Sequence, residues 1–354
     1  MIRKFFGTAI IAFVTIPTLF AQDSTKSLTI SGSVDGYYRH NFGAGNGYTS
    51  FTKSQSSFAL GMASVRADAS ALSGRVTAVA DLGFGPRAEE FSYYEYASKS
   101  TLSSVKQLYA TLNVSKDVKF TMGKWATHVG YEVLDAPLNR NYSMSYMFTN
   151  GPFSHTGLKM DVTAGPVGFM IGVANFIDET NSTTGVKTLI GQFSGGSKDG
   201  KFKGYLNYAG FFGSKLGANP LALESLNQLD LVITQSVTSM FNIGFNATLQ
   251  NRKQIKTSTS PSGTWYGAAL YLNVDPSASV GLTLRSEYIS DSKIIYYGTK
   301  NIFANTLSLN CKVGPFTLIP EFRFENAQSA VFTKNDGTAS KSTSTLLLAT
   351  VYKF

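Results

Sequence analysis

Residues 241–250 alternate without a break: Phe241, Ile243, Phe245, Ala247 and Leu249 fall on one side, and Asn242, Gly244, Asn246, Thr248 and Gln250 on the other. Successive side chains of a strand point to opposite faces, so this segment is a strand with one apolar and one polar face. Alternation of this kind spans 28–37, 75–84, 107–114, 156–164, 279–288 and 316–325, and in less regular form 57–68, 118–124, 167–176, 188–194, 201–210, 229–237, 266–274 and 303–313. With the terminal stretch 346–354 the segments number sixteen, and no sustained 3.6-residue period interrupts them.

Most of these segments run nine to eleven residues, the length that crosses a bilayer at a barrel's tilt, whereas a soluble sandwich or lectin needs strands of only about five or six. Connection lengths point the same way. Short turns at 69–74, 115–117, 165–166, 195–200, 238–240, 275–278 and 314–315 alternate with longer stretches near 38–56, 85–105, 125–154, 177–187, 211–228, 251–265, 289–302 and 326–344. Tight periplasmic turns and long outer loops are the habit of bacterial barrels, whose strand number is even. The expected fold is therefore all-β, a transmembrane antiparallel β-barrel of about 16 strands with both termini on the periplasmic side. Fourteen or eighteen strands stay open, because 57–84 and 188–210 are the weakest pairs.

The two ends of the chain fit that reading. Met1-Ile2-Arg3-Lys4 is basic, and residues 5–20 are apolar apart from Thr8, Thr15, Pro17 and Thr18; this predicts a signal peptide over 1–21, cut after Ala21, leaving 22–354 as one barrel domain. Losing Arg3 and Lys4 lowers the formal net charge of +9 by two, to +7. The last strand ends on Phe354, which resembles the closing strand and assembly signal of bacterial outer-membrane barrels. Beyond the leader no run is long and apolar enough for a spanning helix, so a closed barrel is the remaining way to satisfy backbone polar groups in hydrocarbon. Charged residues make up 15% of the chain, against roughly 25% in soluble domains. The single Cys311 excludes an intrachain disulfide and a cysteine-based zinc site.

If the apolar faces meet lipid, strand parity points Arg66, Arg75, Lys119, Lys159, Lys203, Arg285, Lys312 and Arg323 into the lumen. The same parity points Asp35, Asp68, Asp81, Asp161, Asp230, Glu287, Glu321 and Glu325 inward. Eight cations against eight anions predict a wet wall of mixed sign, with same-face neighbours such as Arg66/Asp68, Lys159/Asp161, Arg285/Glu287 and Glu321/Arg323/Glu325 able to pair. The surplus charge then lies in loops and rims, where it can bias admission toward anions by steering.

The longest connection, 125–154, is rich in Tyr, Met and Phe and too apolar to wave in water. Folded inward, it would bury Tyr142, Met144, Tyr146 and Phe148 on the wall and hang Glu132, Asp135 and Arg140 in the narrowest cross-section. Gly123-Lys124, Gly130 with Glu132, Asn141-Tyr142-Ser143, Pro152, and His155 with Gly157 together resemble the β-barrel porin family of the porin-2 type. In this chain Met144 stands between Ser143 and Ser145, where that family leads one to expect a basic residue. The resemblance implies passive outer-membrane transport, with no particular solute.

The expected function is a porin: a water-filled channel for small hydrophilic solutes and ions, constricted by the loop at about 125–154. Alternatives are a loop-displaying adhesin or structural barrel, and an outer-membrane lipid hydrolase. The hydrolase is disfavoured because Ser154 and His155 are sequence neighbours and point to opposite faces. His40, His128 and His155 fall in no metal or catalytic motif, so no enzyme activity, cofactor or metal is expected. Expected partners are outer-membrane lipid and lipopolysaccharide, the barrel-assembly machinery through Phe354, and small solutes, in a monomer or homotrimer. No Lys/Arg cluster implies nucleic acid.

Overall fold

The structure is a computed structural model that describes residues 26–354 except 45, 46, 183, 212–218, 220 and 294. The expected leader 1–21 lies outside the described residues, as does part of the connection 211–228. The strands are β1 (Ser27–Asn41), β2 (Ser57–Ala71), β3 (Val76–Phe84), β4 (Val105–Asn113), β5 (Val118–Ala126), β6 (Ser154–Ala164), β7 (Val167–Asn175) and β8 (Lys187–Gly196). They continue as β9 (Phe202–Phe211), β10 (Leu223–Ser236), β11 (Phe241–Gln254), β12 (Gly263–Ser277), β13 (Val280–Asp291), β14 (Asn301–Val313), β15 (Phe316–Ala327) and β16 (Ser342–Lys353). Each pairs antiparallel with its sequence neighbours, and β1 pairs with β16, so the sixteen form one closed barrel. Closure leaves no strand edge, the condition for crossing hydrocarbon.

Phe354 extends the closing seam by one residue: its N–H donates to Gly32 O and Gly32 N–H to Phe354 O, both at 3.0 Å. Gly-Pro pairs make two of the tight turns. Gly165 and Gly314 sit at φ of 61° and 56°, and the following proline ring holds φ near −65°, the combination a two-residue II′ hairpin demands. No crowding surrounds either glycine, so the requirement there is the left-handed backbone itself.

Facing out, Phe58, Leu60, Met122 and Leu28 are 88, 75, 70 and 66% exposed and belong to a belt of large apolar side chains on the strands. Such a continuous apolar surface is untenable in water and suits lipid. Many inward-facing positions are polar: β14 presents Thr306, Ser308 and Asn310 to the interior and Phe303, Leu307 and Leu309 to the outside.

Parity misleads at Arg75 and at Lys106. Arg75, expected on a strand, lies in the turn before β3. On β4 the register slips between the partners of Asp81 and Leu82, so that Val105 and Gln107 are paired while Lys106 is the extra, unpaired residue. This β-bulge reverses the alternation and buries Lys106 to 2% exposure, its ammonium on Asp81, Asp135 and Ser64. Among the described residues three short α-helices occur outside the strands: α1 (Pro86–Phe91), α2 (Tyr93–Ala97) and α3 (Tyr146–Asn150).

Candidate pore constriction

Between β5 and β6 the chain leaves the wall at residue 127 and rejoins it at 154. Gly123 of β5 stands directly across from Gly157 of β6. A Cβ on Gly123 would lie 2.2 Å from Leu108 O, and one on Gly157 2.1 Å from Val173 O, so the glycines of the sequence motif permit a close approach of β5 to β4 and of β6 to β7 where the segment departs. Ser145 caps α3, its Oγ accepting Phe148 N–H at 3.1 Å.

Polar contacts tie the segment to most of the strands around the barrel, the following among them. Gly130 N–H donates to Asp230 on β10 at 2.9 Å, and the Tyr131 ring stacks on Tyr271 of β12 at 4.0 Å. Asp135 meets Lys106 on β4. Arg140 grips Asp275 on β12 with two hydrogen bonds of 3.0 and 2.7 Å and reaches Thr283 on β13. Asn141 donates to Ser308 on β14. Tyr142 and Ser143 give their amides to Glu321 on β15, while the Tyr142 hydroxyl donates to Asp35 on β1. Tyr146 gives its amide to Glu287 on β13 and its hydroxyl to Glu325 on β15. The segment thus lies inside the barrel, across it, and descends to the turn-side end where Asp275 sits.

The energetics follow from the backbone. A stretch without ladder partners must place its N–H groups, and here wall carboxylates accept them, which makes charge-assisted bonds. Their charge is balanced by Arg285 and Arg323. Arg285 contacts Glu132 and Glu287 and donates to Ser143 O at 2.7 Å, and Arg323 lies 2.8 Å from Glu287 and 3.1 Å from Glu325. Arg87 of α1, fully buried, donates to Leu134 O at 3.0 Å and stacks over the rings of Tyr142 and Phe51.

Above this polar level Phe51, Phe91, Phe148 and Phe153 pack with Met62, Leu134 and Met144. Met144, where a basic residue was expected, fills that cluster at 0% exposure, so a charge there would be buried among apolar side chains. Phe153 lines a loop-side cavity of ≈ 430 Å³, whereas Phe91 and Leu134 line one of ≈ 390 Å³ that adjoins a turn-side cavity of ≈ 610 Å³ around Arg66, Gln107 and Lys119. The aromatic cluster stands between the two sides.

The expected constriction charges do not all hang free. Glu132 is 6% exposed and consumed by Arg285, Tyr271 and Ser145, and Tyr142 and Tyr146 are sealed in the packing. Asp135 and Arg140 keep 21% and 30% exposure. Among the expected wall residues, Arg66, Lys119 and Lys159 line the turn-side cavity, Asp161 pairs with Lys159, Lys203 is exposed on β9, and Arg285, Glu287, Glu321 and Arg323 are buried under the segment. Lys106, Arg87 and Arg39 escaped the parity reading. Arg39 extends the inward row of β1, so a longer strand boundary would have found it; nothing local marks Arg87. Among the described residues no cluster of His, Cys, Asp or Glu is placed to hold a metal.

Asp178, in the connection after β7, accepts the amides of Phe153 and Ser154 at 2.6 and 2.9 Å. Burial pushes its carboxyl up to about 7, against the lowering pull of those amides and Lys124. An acid that binds its proton more tightly folded than unfolded favours the native state as pH falls from about 7 toward its ordinary value of 3.8. Thermal unfolding in detergent is expected to shift upward between pH 8 and pH 5, and Asp178→Asn to flatten that slope; an unchanged slope in the variant would contradict the assignment.

The family described as "Putative beta-barrel porin-2, OmpL-like" matches residues 27–354. The anion-selective porin from Comamonas acidovorans superposes with a TM-score of 0.61 at 11% identity, covering 93% of this chain and 100% of that one. The outer membrane channel DcaP of Acinetobacter baumannii gives 0.60 at 12% identity, with 93% and 97% covered, and outer-membrane expressed OmpT of Vibrio cholerae 0.59 at 10%, with 93% and 98% covered. At such identities the likeness is one of fold. No curated protein matches the sequence.

Proposed function

The chain belongs to this β-barrel porin family, and we propose that it forms a water-filled outer-membrane channel for passive diffusion of small hydrophilic solutes and ions, with residues 127–153 setting the narrowest part of the bore. The family and the barrel fold support an outer-membrane location and a non-enzymatic channel. What carries the reading is the division of the strands into an apolar outer face and an inner face rich in paired charges, Ser, Thr and Asn. A wall of that kind solvates ions, whereas a solid structural barrel gains more from an apolar filling. The lipid-hydrolase alternative lacks support: His155 is buried, with Nε2 3.1 Å from Thr127 Oγ1. Export through residues 1–21, assembly through Phe354, contact with lipopolysaccharide, and a monomeric or trimeric state belong to the same proposal.

Refolded protein in a planar bilayer is expected to give discrete conductance steps. Protein with a strand-rich circular dichroism spectrum and heat-modifiable gel mobility that passes no current would instead be a closed adhesin or structural barrel.

A further inference from the structure

We infer that the turn-side mouth of the lumen is an anion filter, built by an inner ring of Lys119, Lys203, Lys312 and Lys353; the inference rests on the channel reading and names the solute class, small anions. Each lysine sits within two residues of a turn-side strand end: Lys119 is second on β5, Lys203 second on β9, Lys312 next to last on β14, and Lys353 last on β16. All four face inward. Lys119 is paired across the ladder with Asp161 and lines the ≈ 610 Å³ cavity. Lys312 and Lys353 line a ≈ 220 Å³ cavity beneath residues 136–140. Lys203 shares its face of β9 with Asn207, which donates to Asp230 inside the barrel. All four are exposed, and none has an ion-pair partner among the described residues.

The acids that should balance them are withdrawn from solvent. Asp35, Asp81, Asp230, Glu287, Glu321 and Glu325 are 9% exposed or less, spent on amides of the inward segment, on Asn side chains or on buried cations. Asp68 and Asp161, which stay accessible, are held by Arg66 at 2.7 Å and Lys159 at 3.2 Å. An even tally by sequence therefore becomes a one-sided field in the water of the turn-side lumen. Rings of Lys or Arg are the means by which pores favour anions, and low-dielectric walls focus that field. Inorganic anions and small carboxylates or phosphates share the required chemistry, and chloride serves as the probe.

The test is the reversal potential of the full chain in a potassium chloride gradient, for the parent and for a variant combining Lys119→Gln, Lys203→Gln, Lys312→Gln and Lys353→Gln. Chloride is expected to permeate better than potassium in the parent and to fall to parity in the fourfold variant, while Lys53→Gln in the first outer connection leaves the preference in place. If the fourfold variant does not assemble, the parent's sign and the single Lys203→Gln variant decide. Conductance steps without chloride preference, or a preference that survives all four changes, overturn the ring and leave the channel standing. Absence of any steps removes the channel reading and this inference with it.

Discussion

Replacing Arg285 by methionine is expected to destabilise the folded protein by roughly 3–5 kcal/mol, the cost of breaking a buried ion pair from one side. Arg285 is fully buried and sits between Glu132 of the inward segment and Glu287 of the wall, while donating to Ser143 O and Met144 O. Methionine fills much of the volume but donates nothing. Glu287 keeps Arg323 at 2.8 Å, so the damage concentrates on Glu132, which retains Tyr271 and the Ser145 amide but no cation. Adding Glu132→Gln should recover a large part of the loss, because a neutral amide is far cheaper to bury than an unpaired carboxylate. Arg285→Lys keeps the charge and loses the planar fork, so it should fall between. Urea unfolding in detergent or lipid reads these differences as midpoint shifts at constant slope. A single Met variant within about 1 kcal/mol of the parent, the range of an exposed pair, would show that solvent reaches this cluster and that the segment is not packed as described.

Much of this was legible in the sequence because hydrocarbon imposes a strict rule on every strand. All sixteen alternating segments correspond to strands of the closed barrel, and boundaries differ by a few residues. Parity placed Arg285, Glu287, Glu321 and Arg323 on the inner face without knowledge of what they touch. It could not foresee the bulge at Lys106, since an inserted residue reverses the pattern without a marked change of composition. Arg87 was hidden for another reason: its partners at Leu134 and Tyr142 come from a separate connection. The exposure of the wall charges was illegible as well. Direction is a local property of a strand, but burial depends on where residues 127–153 come to rest, and that is decided by contacts to many strands at once.

The second large effect is expected from shortening that segment. Glu132 Oε2 accepts Ser145 N–H at 2.7 Å, so a short Gly-Ser bridge in place of residues 133–144 can close the gap without straining β5 or β6. The change removes Leu134 and Met144 from the aromatic cluster and releases the hold of Tyr142 and Arg140 on the wall. Glu321 and Asp35 would then meet water instead of protein, which the polar wall tolerates, and the strand ladders are untouched. The direct measurement is single-channel conductance of the parent and the shortened chain in the same salt, with strand content and heat-modifiable mobility confirming assembly. Shortening the segment should raise conductance severalfold, since a bore lined by 16 strands widens once residues 133–144 no longer cross it. An assembled variant that conducts like the parent would contradict the claim that residues 127–153 set the constriction.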